Sequence, residues 1–252
     1  MSAEVYERYT TALAAVPDGV MMPYRWGKLP EQLNAIWLPY GLMFDEFSST
    51  ISNGINQLTD YIRRLRAWDV VIVGMDDQEL MATRHAFIAP VAVVALTLPY
   101  VIQNRFLFAA AHLCHQANFA LDPDGWKDDL RLDQDINQQD ADRAGAGWKK
   151  YNRFKTLLER VDSKAYRGAI RDYRNAYTHR FPPEVIIGYS NIVTRRVDAA
   201  NKTTSYAVGG LPPLSLSTIV NALATQSEAA YGAFEAFQQL IHEHEVAMMA
   251  LD

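Results

Sequence analysis

The sequence predicts an all-α protein, a helical bundle carrying one small β-hairpin. Three observations predict it. Apolar residues recur at helical spacing over most of the 252 residues. The strand–helix alternation that builds a parallel sheet is missing. One late segment, "EVIIGYSNIVTRRVDAANKTTSYAVGG", instead gathers β-branched residues around a turn signal at "DAANK".

The elements follow in order. Residues 2 to 15 form a short amphipathic helix ended by "VPDG". Residues 31 to 67 keep apolar positions at helical spacing, and Pro39 with Gly41 is expected to split them in two. A long apolar helical stretch opens at "DDQELMATRH", with Asp76 or Asp77 as its N-cap, and runs to about Ala120. It is expected to bend or break at Pro90 and Pro99. Its residues 86 to 102 are 17 residues without a charge, the lower edge of a membrane span. The two prolines and the lack of clear Tyr and Trp belts favour a buried central helix, and no membrane is expected.

Residues 121 to 142 are a polar connection with eight aspartates, opposed only by Lys127 and Arg131. Two helices are expected next, over 146–160 and 163–180. The second is capped by Asp162 or Ser163 and stopped at Pro182 and Pro183, because a residue before proline is pushed out of the helical region. The hairpin then occupies about 184–210, and "LPPLSLSTIV" leads into a long last helix. Residues 1–75 read as an N-terminal helical extension and 76–252 as the bundle proper, the two forming one compact unit.

Hydrophobic residues make up 49% and charged residues 21%, as in a globular protein with a real core. Net charge is −5, from 24 basic and 29 acidic residues, a balance that by itself does not point to nucleic acid. The lone Cys114 excludes an internal disulfide framework and fits a reducing compartment. The charged N-terminus lacks the apolar core of a secretion signal, so a cytoplasmic location is expected.

Metal and nucleotide motifs fail on inspection. "LDQDINQQDADR" begins like a calcium loop, but Gln138 stands where glycine is needed and Ala144 where a bidentate glutamate is needed. His112 and His115 flank Cys114 one helical turn apart, and the sequence names no fourth zinc ligand. "IHEHE" lacks metalloprotease spacing and reads as an exposed helix end. There is no glycine-rich phosphate loop and no Gly-x-Ser-x-Gly elbow. No metal and no cofactor are expected.

The chemistry gathers elsewhere. From Arg143 to Arg180 there are eleven Lys or Arg residues against Glu159, Asp162 and Asp172, a local balance of +8. Trp148, Tyr151, Phe154, Tyr166, Tyr173 and Tyr177 are interleaved with them, the composition of a phosphate- or RNA-facing surface. A bland reading stays open, in which the basic block pairs with the acidic connection before it. Candidate phosphate contacts are Lys149, Lys150, Arg153, Lys155, Arg167, Arg171 and Arg180. On a continuous helix, Tyr166, Ala169, Ile170, Tyr173 and Tyr177 make a core stripe. Arg171, Arg174, Asn175, Thr178 and His179 then make a polar one, with Asn175 one turn from His179 and able to orient its imidazole. A titratable histidine beside a permanently charged arginine suits metal-free phosphodiester cleavage.

"RNAYTH", residues 174 to 179, resembles the Arg–polar–x3–His motif of the HEPN superfamily, placed near the end of a bundle helix as in that family. The resemblance spans about residues 77 to 250 by helix order and six residues by motif. It implies a dimeric all-α protein and a metal-independent endoribonuclease of toxin–antitoxin, phage-defence or RNA-processing type. Arg174 would polarise the scissile phosphate, Asn175 would orient the site, and His179 would move the proton. RNA and a possible antitoxin or regulatory partner are then implied as ligands. One subgroup of the family carries a tyrosine two residues after the histidine; here that residue is Phe181. The alternative is a HEPN-like module that binds nucleotide, RNA or a protein without cleaving.

Overall fold

The computed structural model describes residues 3–30 and 33–251. It is mostly helical, with one two-stranded antiparallel sheet. Ser2, Glu31 and Gln32, assigned above to helices, lie outside the described residues. The chain divides into two compact units, neither of them a continuous stretch. The first comprises residues 1–19, 60–97 and 164–225; the second comprises 20–59, 98–163 and 226–252.

Helix α1 (Ala3–Ala15) and the C-terminal half of α2 (Leu38–Val71) meet in the first unit. Arg8 donates to the Val71 carbonyl, and Arg63 donates to the carbonyls of Leu13 and Val16, so α1 is held by its exposed carbonyl end. The Tyr9 and Trp68 rings stack with centroids 4.3 Å apart, and Phe87 lies on Trp68 at 5.6 Å. Pro39 does not split α2. It sits in the first turn, where its missing N–H is one the helix would leave unpaired anyway.

Asp76 caps α3 (Asp77–Thr83), accepting from the Glu79 N–H at 2.8 Å, so of the two candidate caps Asp76 is the one used. The apolar run is not broken at its prolines. Residues Arg84–Ile88 form a π turn in which the Ala89 N–H reaches the Arg84 carbonyl, and Pro90 follows at once. The wider turn relieves the crowding that a proline ring imposes on the carbonyl four residues earlier. Helix α4 (Ala89–Leu121) then continues through Pro99. The run 77–121 is long and apolar enough to cross a membrane by length and composition alone, with 39% of its most apolar window buried inside the protein. Ala92, Leu96, Phe106 and Leu113 along it are buried, while Val94 and Tyr100 are exposed.

In the second unit α5 (Gln138–Gly145) starts with a capping box between Asn137 and Asp140, and α6 spans Tyr151–Leu158. Phe106, Phe154, Phe234 and Phe237 form its aromatic centre, with centroid separations of 5.4 to 6.5 Å. Helix α9 (Leu216–Leu251) contributes residues to both units.

The helix expected over 163–180 is two short ones, α7 (Lys164–Ala169) and α8 (Tyr173–His179). The hairpin is present as β1 (Val193–Val197) and β2 (Thr204–Val208), paired antiparallel with Arg195 opposite Tyr206. Its loop closes through Asp198, whose carboxylate takes the Ala200 N–H while its own N–H donates to Thr203.

Candidate functional site

The segment between α7 and α8 departs most from the sequence expectation. Arg171 and Asp172 both adopt positive φ, +54° and +51°. Two successive non-glycine residues in the left-handed region cost about 1–3 kcal/mol each, a strain that concentrates at functional sites. Local bonds hold the corner: the Asp172 N–H reaches back to the Arg167 carbonyl at 2.6 Å, and Ala176 then starts α8 from the Asp172 carbonyl. Helices of six and seven residues are too short to persist alone. They stand because Tyr166, Ile170, Tyr173 and Ala176 are buried, and because the Tyr166 hydroxyl donates to the Leu96 carbonyl at 2.9 Å.

The corner changes which residues share a face. Ala169 and Tyr177, expected in the core stripe, are exposed, Tyr177 at 52%. Tyr173 is buried as expected, and burial pushes its phenol up to about 12, with Tyr177 and Glu184 adding to the shift. The two tyrosine rings stack 6.0 Å apart, nearly parallel. Asn175 does not bond His179; its amide donates to the Asp172 carboxylate at 2.8 Å.

The same corner opens a shallow groove of about 560 Å³, lined by Lys164, Arg167, Arg171 and Arg174 together with Asp172 and Asn175. Four cations face one carboxylate, which already accepts a bond from Asn175. Arg171 also donates to the Pro212 carbonyl, so its guanidinium is held in place. A fixed guanidinium grips phosphate at less entropic cost than a free one. His179 ends α8 and is exposed, followed by exposed Arg180 and by Phe181, which is 85% exposed. The groove lining includes Arg174 and does not include His179.

The remaining predicted phosphate contacts lie in the second unit. Lys149 and Lys150 are exposed, and their main-chain N–H groups donate to the two oxygens of Glu243 at 3.0 and 2.9 Å. Arg153 is exposed on α6. Lys155 is engaged by Asp142 at 2.9 Å, so part of the basic block does pair with the acidic connection. That connection also reaches α4, where Asp128 lies 3.0 Å from Nε2 of buried His115. Among the described residues, no group of three or more His, Cys, Asp or Glu is arranged to hold a metal ion.

The C-terminal "IHEHE" is not an exposed helix end. His242 is exposed, but His244 and Glu245 are buried. The Tyr40 hydroxyl lies 3.0 Å from His244 Nδ1, and Cys114 Sγ lies 3.6 Å from Nε2. Trp148 covers the ring at 4.3 Å. Burial pulls the His244 pKa down to about 3 and pushes the Cys114 thiol well up, so both are neutral core groups. The signal was present in the sequence: Phe237, Leu240, Ile241, His244 and Met248 fall at i, i+3, i+4, i+7 and i+11, an apolar stripe with one histidine in it.

Comparison with family models, with curated proteins and with solved structures returns no match for this chain.

Proposed function

We propose that the protein is a metal-independent endoribonuclease of the HEPN type that binds single-stranded RNA in the α7–α8 groove. The observation that carries the reading is the convergence of Lys164, Arg167, Arg171 and Arg174 on one open groove at a strained corner, with the exposed His179 five residues beyond Arg174. The cations neutralise the backbone phosphates, and Arg174 stabilises the charge that develops on the scissile one. The 2′-oxygen attacks phosphorus and its proton passes to a base. The 5′-oxygen leaves with a proton from an acid, and a 2′,3′-cyclic phosphate remains. DNA, lacking the 2′-hydroxyl, is spared.

Each chain offers one His179 for two proton transfers. The proposal therefore includes a two-fold dimer that brings two 174–179 segments together. A toxin, defence or RNA-processing role, with an antitoxin or regulatory partner, is what the motif's family resemblance implies.

A second reading, binding without cleavage, is favoured by one observation. Asn175 is committed to Asp172, so it does not orient His179. A gel assay on labelled single-stranded RNA, run with EDTA, separates the two. The nuclease reading expects cleavage to cyclic or 3′-phosphate ends. It expects loss of about 10²–10⁴-fold in His179→Ala. Arg174→Ala is expected to fail likewise, and Arg174→Lys to rescue poorly, because an ammonium lacks the planar fork. Binding with no cleavage by wild type across varied RNAs selects the second reading.

A further inference from the structure

Residues 22–30 of the second unit, and Leu33 after them, lie along the first half of α2 and leave a cleft that the RNA groove does not touch. The crossing is pinned in antiparallel order. The Met22 N–H donates to Asn56 at 2.6 Å, the Tyr24 hydroxyl donates to Asn53 at 2.8 Å, and Ser52 donates to the Pro23 carbonyl at 2.9 Å. Further along, glycines allow the closest approach. A Cβ on Gly27 would lie 2.3 Å from the Phe44 ring, and one on Gly41 would lie 2.4 Å from the Leu33 side chain. The cleft along this crossing measures about 750 Å³, within the size range of small-molecule sites.

The register gives the cleft two unlike ends. Arg25 falls between the contacts of Tyr24 and Gly27, opposite Asp45 and Ser49 on α2. Leu29 and Leu33 line the stretch toward the start of α2, where Leu38 and Leu42 stand one turn apart on one face. These two leucines are 51% and 63% exposed. Arg25 and Asp45 are the charged residues of the lining among the described residues, one of each sign. Both are exposed, and neither side chain has a hydrogen-bond or ion-pair partner among the described residues. Arg25 is also held at φ +53°. That conformation costs a non-glycine residue about 1–3 kcal/mol and concentrates at functional sites.

We propose that this cleft binds a free α-amino acid with a large apolar side chain. Arg25 grips the carboxylate, Asp45 accepts from the ammonium group, and the side chain covers Leu38 and Leu42 and takes their surface out of water. The ligand carries one charge of each sign, as the cleft does. A simple anion or a simple amine would leave one charge of the cleft without a counterpart. The residues involved all lie within 20–59, so the inference does not rest on the ribonuclease reading.

The test is calorimetric titration and thermal shift on the full chain with leucine and with phenylalanine. At least one is expected to bind and to raise Tm with concentration. For the probe that binds, two analogues are compared with it: isopentylamine and 4-methylpentanoate for leucine, phenethylamine and 3-phenylpropionate for phenylalanine. Each analogue lacks one charged group and should bind about tenfold or more weaker, the usual loss for a charged hydrogen bond. Glycine, which lacks the side chain, should not compete. Arg25→Gln should erase the preference for the amino acid over its amine, and Asp45→Asn the preference over its acid. Arg167→Ala, in the other unit, should leave binding unchanged. If either cleft variant folds poorly, the analogue series on the wild-type chain still decides. Failure of both amino acids to bind at about 10 mM overturns the proposal. So does an amine or acid that binds as well as its amino acid, or binding indifferent to both cleft substitutions.

Discussion

Lys164→Ala is the most direct probe of the α7–α8 groove. Lys164 is the first residue of α7 and is exposed, so its loss should change stability by no more than about 0.5 kcal/mol. Its effect should appear in the salt dependence of RNA binding. Each phosphate neutralised on a single strand contributes about −0.7 to the slope of log K against log salt. Four groove cations then give a slope of about −2.8, and affinity falls about 50-fold between 50 and 200 mM salt. Lys164→Ala should bring the slope to about −2.1 and the fall to about 20-fold. Fluorescence anisotropy of a labelled single-stranded RNA, titrated at several salt concentrations, measures both. Lys155→Ala is the control: Lys155 is paired with Asp142, outside the groove, and its loss should leave the slope alone. A wild-type slope near zero refutes the reasoning. So does a Lys155→Ala effect as large as that of Lys164→Ala.

Tyr173→Ala should destabilise the protein by about 3–5 kcal/mol, because it empties a buried aromatic site. Tyr177→Ala, which removes a half-exposed ring, should cost under about 1 kcal/mol; Tm values from calorimetry compare the two. His244 has its folded pKa depressed to about 3 from 6.5, so below pH 6.5 the unfolded state takes a proton that the folded state refuses. Stability is fully present above 6.5 and declines as pH falls toward 3, with about 2 kcal/mol lost by pH 5. His244→Gln, which does not titrate, should lose correspondingly less between pH 7 and 5 in urea denaturation, and equal losses would show that His244 is not the responsible group. Light scattering at tens of micromolar should find a two-fold dimer; a strict monomer with and without RNA would remove the basis for a paired active site.

Most of the helical order was legible because long apolar periods are a strong signal. The hairpin was legible because β-branched residues and "DAANK" coincide. The Asp76 cap was legible from an acidic residue ahead of the first turn. The corner at Arg171 and Asp172 was not. Arginine carries no preference for positive φ, and the apolar spacing from Tyr166 to Tyr173 continues through the break as if one helix ran on. That single error misplaced Tyr177 and aimed Asn175 at the wrong partner. Pro39 misled in the opposite direction, since a proline marks a break in a helix interior and a start in its first turn. Arg171, Arg174 and Arg167 were identified by composition, but only coordinates could show that they share a groove with Lys164 and not with Lys155.

Glu243, His244 and Glu245 are three successive residues of α9, and each closes a different distant part of the second unit. Glu243 takes the amides that begin α6, His244 meets Tyr40 and Cys114, and Glu245 ties down the main chain at Lys28. Lys28, held by Glu245, and Tyr40, met by His244, lie 217 and 204 residues earlier in the chain. A ribosome delivers these three residues long after everything they hold. Until then the growing chain carries Tyr40, Cys114 and Trp148 with no cover over them and an α6 with no anion at its amino end. The second unit therefore closes only once these residues have been made, and a chain interrupted before residue 243 would present its aromatic interior to chaperones and proteases.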